Sequence, residues 1–115
     1  MPSPPLVPGD RLIDTDHLTD VTFGDPDLQR EVLSLFIRQA EGLMQQLTQQ
    51  PAETASLAHL LKGSARGIGA FSAADCAERL EQMASDRKAY ADALAELKTV
   101  LSETIGVIDG LLRAA

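Results

Sequence analysis

Apolar side chains recur along most of the chain at intervals of three and four residues, the spacing that places them on one face of an α-helix. The clearest run follows Asp86 and consists of Tyr90, Leu94, Leu97, Leu101, Ile105, Ile108 and Leu112. Another begins after Pro26, continues to about Gln49 and consists of Leu28, Val32, Leu35, Phe36, Leu43 and Leu47. No useful length of strand-like alternation interrupts these runs, so the pattern predicts an all-α fold.

Residues that favour helix ends divide the pattern into segments. Asp14–Asp16 offer N-caps for a short first helix, and Asp25 followed by Pro26 suits the start of the second. Pro51 opens the third helix, and Ser72 is a candidate N-cap for the fourth. The apolar side of that fourth helix consists of Ala73, Cys76, Ala77, Leu80, Met83 and Ala84. Because the connections are short, we expect an antiparallel up-down four-helix bundle with a short additional N-terminal helix.

The chain is long enough for one domain with one core. Residues 1–12 include four prolines, which predicts a flexible N-terminal tail. The helical bundle is then expected over residues 13–114 of the 115-residue chain. The hydrophobic stripes are sufficient for one closed core, so we expect a monomer.

Composition excludes several classes of function. The formal net charge is −7, which would repel phosphate backbones and argues against nucleic-acid binding. A single cysteine, Cys76, cannot form an intrachain disulfide and fits a reducing compartment. No apolar stretch of about 18 residues and no signal-peptide pattern occurs, so we expect a cytoplasmic protein that does not enter a membrane.

The third predicted helix carries the candidate chemistry. His59, Lys62, Gly63 and Arg66 lie at offsets of zero, three, four and seven, and therefore share one helical stripe. The opposite stripe consists of Leu57, Leu61, Ser64 and Ile68, so the histidine and Lys62 are expected to be exposed. Histidine titrates near neutral pH, and its neutral imidazole is a nucleophile that attacks phosphorus.

The charges in sequence around His59 favour an anionic product on its ring. Between Ala55 and Ala74 there is no Asp or Glu, and the charged residues are Lys62 and Arg66. We therefore expect a basic spot in an acidic protein, with no carboxylate in contact with the ring. Lys62 would donate to a phosphoryl oxygen, Gly63 would leave room for a partner's active site, and Arg66 would attract an acidic partner.

These residues resemble the signature of the histidine-containing phosphotransfer (HPt) domain family. The segment from His59 to Ala65 fits the pattern H-x-L-K-G-S-[SA], and the family's downstream positions are also present as Gly69-Ala70, Cys76 and Leu80-Glu81. Asp25-Pro26-Asp27-Leu28 and Phe36 resemble the family's lead-in to its second helix. Ala73 departs from the usual leucine, and Arg66-Gly67 is not the commonest pair at its position.

The resemblance implies a four-helix bundle that relays phosphoryl groups between aspartates of receiver domains. It implies that His59 is the phosphoacceptor, that Lys62 stabilises the phosphate and that Gly63 provides clearance, while Arg66 and Gly67 bear on partner choice. The partners would be response-regulator receiver domains and a hybrid or sensor histidine kinase. No cofactor is expected on this chain, since the Mg²⁺ would belong to the receiver. No Walker-type glycine loop is present, so we expect a phosphocarrier rather than an enzyme.

Three other readings are weaker. The phosphoacceptor part of a sensor kinase usually has an acid directly after its histidine, whereas Leu60 stands here. A helical module that docks receivers or a kinase without carrying phosphate would have no need of both His59 and Lys62. A metal-binding bundle would require a second ligand at suitable spacing on the stripe of His59.

Overall fold

The computed structural model describes residues 12–49 and 52–114, and the regular structure in these ranges is helical throughout. The helices are α1 (Thr15–Val21), α2 (Pro26–Thr48), α3 (Thr54–Gly67), α4 (Phe71–Gln82) and α5 (Arg87–Ala114). This confirms the predicted all-α fold with one short leading helix.

Aspartate caps start three of these helices. The Asp14 side chain accepts a hydrogen bond from the backbone N–H of His17, as predicted for α1. Asp25 does the same for the first turn of α2, where Pro26 occupies the first helical position. Asp86 accepts hydrogen bonds from two N–H groups in the first turn of α5. These side chains satisfy N–H groups that have no partner within the helix.

The starts of α3 and α4 differ from the prediction. The predicted N-cap Ser72 is wrong, because α4 already begins at Phe71 and its N-cap position is Ala70, which has no capping side chain. The preceding turn leads directly into the helix: the Ala70 N–H donates to the carbonyl of Ala65 at 2.8 Å, and the Ala70 carbonyl accepts from Ala74. Pro51, predicted to open α3, lies outside the described residues, and α3 begins at Thr54.

The four long helices form a closed ring of neighbours. Each of α2, α3 and α4 packs against the next helix in the chain, and α5 also packs against α2. The short connections make successive helices antiparallel, which confirms the up-down bundle. The core is formed almost entirely of aliphatic side chains; its fully buried members include Ile13, Leu47, Leu61, Leu80, Leu97 and Ile108.

Gly69 fixes the turn between α3 and α4. Its φ of +87° lies in the left-handed region, and a Cβ there would stand 2.8 Å from the Asp14 carbonyl oxygen. The Gly69 carbonyl accepts a hydrogen bond from the Asp14 N–H at 2.9 Å. Glycine is therefore required both by backbone conformation and by the close approach of the segment before α1.

The predicted N-terminal tail covers residues 1–12. Residues 1–11 of the predicted tail lie outside the described residues, and Leu12 is buried. Among the described helices, none has the length and apolar character needed to cross a bilayer.

Candidate functional site

His59 projects from the outer face of α3. The inner face of the helix buries Ala58, Leu61 and Ala65 completely, so His59, which lies outside that stripe, is directed towards the surface. The His59 side chain is 67% exposed. The predicted outward orientation of the ring is therefore confirmed.

The predicted absence of a carboxylate beside the ring is wrong. Glu81 on α4 places its Oε2 atom 3.0 Å from Nδ1 of His59. The other oxygen of the same carboxylate, Oε1, accepts a hydrogen bond from Nζ of Lys62 at 2.9 Å. The segment of α3 that contains no acidic residue is thus in contact with a carboxylate from the neighbouring antiparallel helix.

Glu78, one turn earlier on α4, extends this arrangement. Its Oε1 atom lies 3.9 Å from Nζ of Lys62 and 3.6 Å from a guanidinium nitrogen of Arg66. The expected exposure of Lys62 is also wrong, since only 14% of its side chain is exposed. The ammonium is directed along the α3–α4 seam because two carboxylates attract it there.

The hydrogen bonds at Glu81 change its acidity. The hydrogen bond from Lys62, and to a smaller extent that from His59, lowers the pKa of the Glu81 carboxyl below its ordinary value of 4.5. The carboxylate is therefore ionised at neutral pH and can only accept hydrogen bonds. It follows that Nδ1 of His59 carries the proton, and that Nε2 of the neutral ring has the free lone pair.

Gly63 and Gly67 continue the stripe from His59 along α3. A Cβ added at either glycine would meet nothing within 4 Å. The carbonyl of Gly67 is 3.2 Å from Nε2 of His17, whose ring packs edge-on against Phe71. The outer face of α3 therefore has open backbone at Gly63 and a contact with α1 near Gly67.

The surroundings of the ring are open. Ala55, Ser56, His59 and Glu81 line a shallow depression beside it. Within residues 12–49 and 52–114, no group of three or more His, Cys, Asp and Glu side chains is arranged to hold a metal ion.

Glu78 and Glu81 are site residues to which the sequence pattern assigns no chemistry, although Glu81 stands at a position of the family signature. A signal for them was present, since α3 and α4 form a tight antiparallel hairpin around Gly69. In such a hairpin, residues at similar chain distances before and after the turn lie opposite each other. By this rule His59, ten residues before Gly69, lies opposite the segment around residue 79, which contains Glu78 and Glu81, but the rule does not say which of the two contacts the ring.

Comparison with known families identifies the class of protein. The family model described as the Hpt domain matches residues 31–106, well over half of the chain. The chain therefore belongs to the Hpt domain family, whose members act in phosphotransfer within two-component phosphorelays and interact with receiver domains and kinases. Searches of curated proteins and of solved structures found no match.

Proposed function

We propose that this chain is a histidine phosphocarrier, which accepts a phosphoryl group on Nε2 of His59 and passes it to another protein. The observation that carries the proposal is the exposed imidazole of His59, whose Nδ1 atom is held by Glu81 at 3.0 Å. The ring lies within the segment that matches the Hpt domain. Donor and acceptor are aspartates of receiver domains, and a hybrid or sensor histidine kinase is a further partner.

The transfer is a displacement at phosphorus. The lone pair on Nε2 forms the N–P bond while the P–O bond of the acyl phosphate breaks, and its electron pair remains on the aspartate carboxylate. The proton stays on Nδ1, so the phosphorylated ring carries a positive charge that the Glu81 carboxylate stabilises. Glu81 thus acts on the ring as the carboxylate of a catalytic triad acts on its histidine.

Lys62 and Gly63 have separate roles in this proposal. Lys62 supplies an ammonium that can exchange its hydrogen bond with Glu81 for one with a phosphoryl oxygen. Gly63 leaves the space above α3 open, so that the active site of a receiver can approach Nε2 closely. Arg66 and Gly67, farther along the same stripe, contact the partner.

Most of the catalysis belongs to the complex. The receiver contributes its aspartate and its Mg²⁺, while this chain contributes the nucleophile and the neighbouring cation. The chain is accordingly a carrier without an ATP site or autokinase activity. It acts as a monomer in the cytoplasm, where receivers and kinase catalytic domains reside.

Transfer to His59 is tested with radiolabelled receivers. A panel of receiver domains phosphorylated with labelled acetyl phosphate is mixed with the wild-type chain, and we expect acid-labile, base-stable label on it. His59→Gln should abolish the label, whereas His17→Gln, which changes the other histidine of the chain, should retain it. Persistence of label in His59→Gln, or no transfer to the wild type from any receiver, would refute the carrier function.

A further inference from the structure

Four charged side chains form a cluster next to His59: Lys62 and Arg66 from α3, and Glu78 and Glu81 from α4. We call this the four-charge cluster. Lys62 lies between the two carboxylates, 2.9 Å from Glu81 and 3.9 Å from Glu78. Arg66 pairs with Glu78 at 3.6 Å. The two cations are therefore matched by two carboxylates as long as His59 carries no phosphoryl group.

The two carboxylates have different neighbours. Glu81 contacts the imidazole ring as well as Lys62. Glu78 pairs with Lys62 and Arg66, and its side chain is 41% exposed. The contacts that connect Glu78 to the surroundings of His59 are therefore those with the two cations.

A phosphoryl group on Nε2 adds about two negative charges beside this cluster. Its oxygens attract the same ammonium and guanidinium groups that Glu78 binds in the unphosphorylated chain. We infer that Glu78 competes with the phosphoryl group for Lys62 and Arg66, and so sets the position of the phosphoryl-transfer equilibrium at His59. Glu78 is a positioning residue in this scheme and lowers the phosphorylated fraction.

The inference rests on the proposed phosphorylation of His59, and it can be measured without a partner protein. Phosphoramidate donates its phosphoryl group directly: the new N–P bond forms at Nε2, the old N–P bond breaks, and its electron pair leaves with ammonia. At a fixed ratio of phosphoramidate to ammonia, the equilibrium fraction of phosphorylated chain is read by ³¹P NMR or intact mass. The wild type is compared with Glu78→Gln and with Glu103→Gln, a matched control on α5.

We expect Glu78→Gln to raise the ratio of phosphorylated to unphosphorylated chain about twofold to fivefold, the range for partly exposed ion pairs. Glu103→Gln makes the same change in net charge and should match the wild type. Glu78→Asp should restore a ratio close to that of the wild type. The effect of Glu78→Gln should diminish in high salt, because added ions screen the competition. A thermal unfolding midpoint equal to that of the wild type would show that the variant retains the fold.

The outcomes separate this inference from the proposed function. Phosphorylation that requires His59 but has the same equilibrium in Glu78→Gln and the wild type would overturn the role of Glu78 and leave the carrier function intact. An equal rise in Glu103→Gln would reduce the effect to net charge and also overturn it. No phosphorylation of the wild type, or phosphorylation unchanged in His59→Gln, would overturn both.

Discussion

Glu81 gives the imidazole of His59 a defined tautomer and orientation. An exposed histidine on a helix rotates among several rotamers, but the hydrogen bond between Nδ1 and Oε2 selects one of them. Lys62 holds the other oxygen of the carboxylate, so the acceptor is itself fixed. The Nε2 atom, the proposed phosphoacceptor, is therefore held in one orientation in the unphosphorylated chain.

The pKa of Glu81 leads to a prediction about stability and pH. Its carboxyl pKa is lowered in the folded chain, chiefly by the hydrogen bond from Lys62. A lowered folded-state pKa adds stability that is present above the unfolded value of 4.5 and is lost as the pH falls through the folded value. We expect Glu81→Gln to lower the unfolding midpoint at about pH 6. The difference should shrink as the pH falls below 4.5 and should disappear once the pH is below the folded-state pKa of Glu81.

The two proteins that are compared, with Glu81 and with Glu81→Gln, should both also carry His59→Gln, so that the ring of His59 does not contribute to the difference. The hydrogen bond from Lys62, the larger cause of the shift, remains in that background. Thermal unfolding followed by circular dichroism between about pH 3 and 7 gives the two curves. A difference that persists unchanged to the acidic end would show that the ionised carboxylate does not stabilise the fold.

At the residue scale, the sequence predicts which atoms point outwards but not what they contact. The apolar stripe of α3 determines that His59 faces solvent, and this follows from spacing alone. The carboxylate of Glu81 reaches the ring from another helix, across 22 residues of chain. The rotation of α4 about its own axis decides that contact, and helical periodicity in α3 carries no information about it.

At the scale of elements, the α3–α4 hairpin assembles the site. The turn at Ile68–Ala70 is so short that the last residues of α3 lie beside the first residues of α4. Cations on α3 and carboxylates on α4 are then held opposite each other by the backbone. The candidate chemistry consequently depends on a turn some distance from His59 in the sequence.

Replacement of Gly69 should therefore destabilise the hairpin. In Gly69→Ala, the left-handed backbone alone costs roughly 1–2 kcal/mol. The new Cβ would also stand 2.8 Å from the Asp14 carbonyl oxygen, which adds to that cost. We expect the free energy of unfolding, measured in urea, to fall by at least about 1–2 kcal/mol.

Gly106→Ala on α5 is the matched control, because a Cβ there meets nothing within 4 Å. It should raise the free energy of unfolding by about 0.5–1 kcal/mol, as expected for a glycine in a helix interior. Equal effects at Gly69 and Gly106 would contradict the role assigned to the turn. The placement of Gly69 at the end of α3 is predictable from sequence, whereas its contact with Asp14 depends on where the segment before α1 packs.

At the scale of the whole molecule, the fold follows from the sequence because each long helix has a continuous apolar stripe. The runs in α2 and α5 predict two long helices, and α3 and α4 complete the bundle between them. The predicted N-cap at Ser72 is wrong, since α4 begins at Phe71, directly after the turn that is closed by the hydrogen bond from the Ala70 N–H to the Ala65 carbonyl. The periodicity of apolar residues thus predicts the helices, whereas the turn before α4 and the contacts between α3 and α4 can be read only from the packed structure.

Under the proposed function, Gly63 sets the stability of the bundle against access of a partner to His59. A glycine in the interior of α3 costs about 0.5–1 kcal/mol relative to alanine, although nothing in the described structure obstructs a side chain there. Gly63→Gln should therefore raise the free energy of unfolding by up to about 1 kcal/mol. The same side chain should slow transfer from a receiver by about tenfold or more, since a misfit in a packed interface costs about 1–3 kcal/mol.

Phosphoramidate separates access from reactivity at this position. The donor is small enough to reach Nε2 beside a glutamine, so Gly63→Gln should be phosphorylated by it at nearly the wild-type rate while receiving label from receivers slowly. Gly106→Gln, with the same substitution in open space on α5, should behave as the wild type with both donors. Wild-type transfer from receivers in Gly63→Gln would show that docking does not require a bare backbone here, and equally slow reaction with both donors would place the defect in the ring rather than in the approach of the partner.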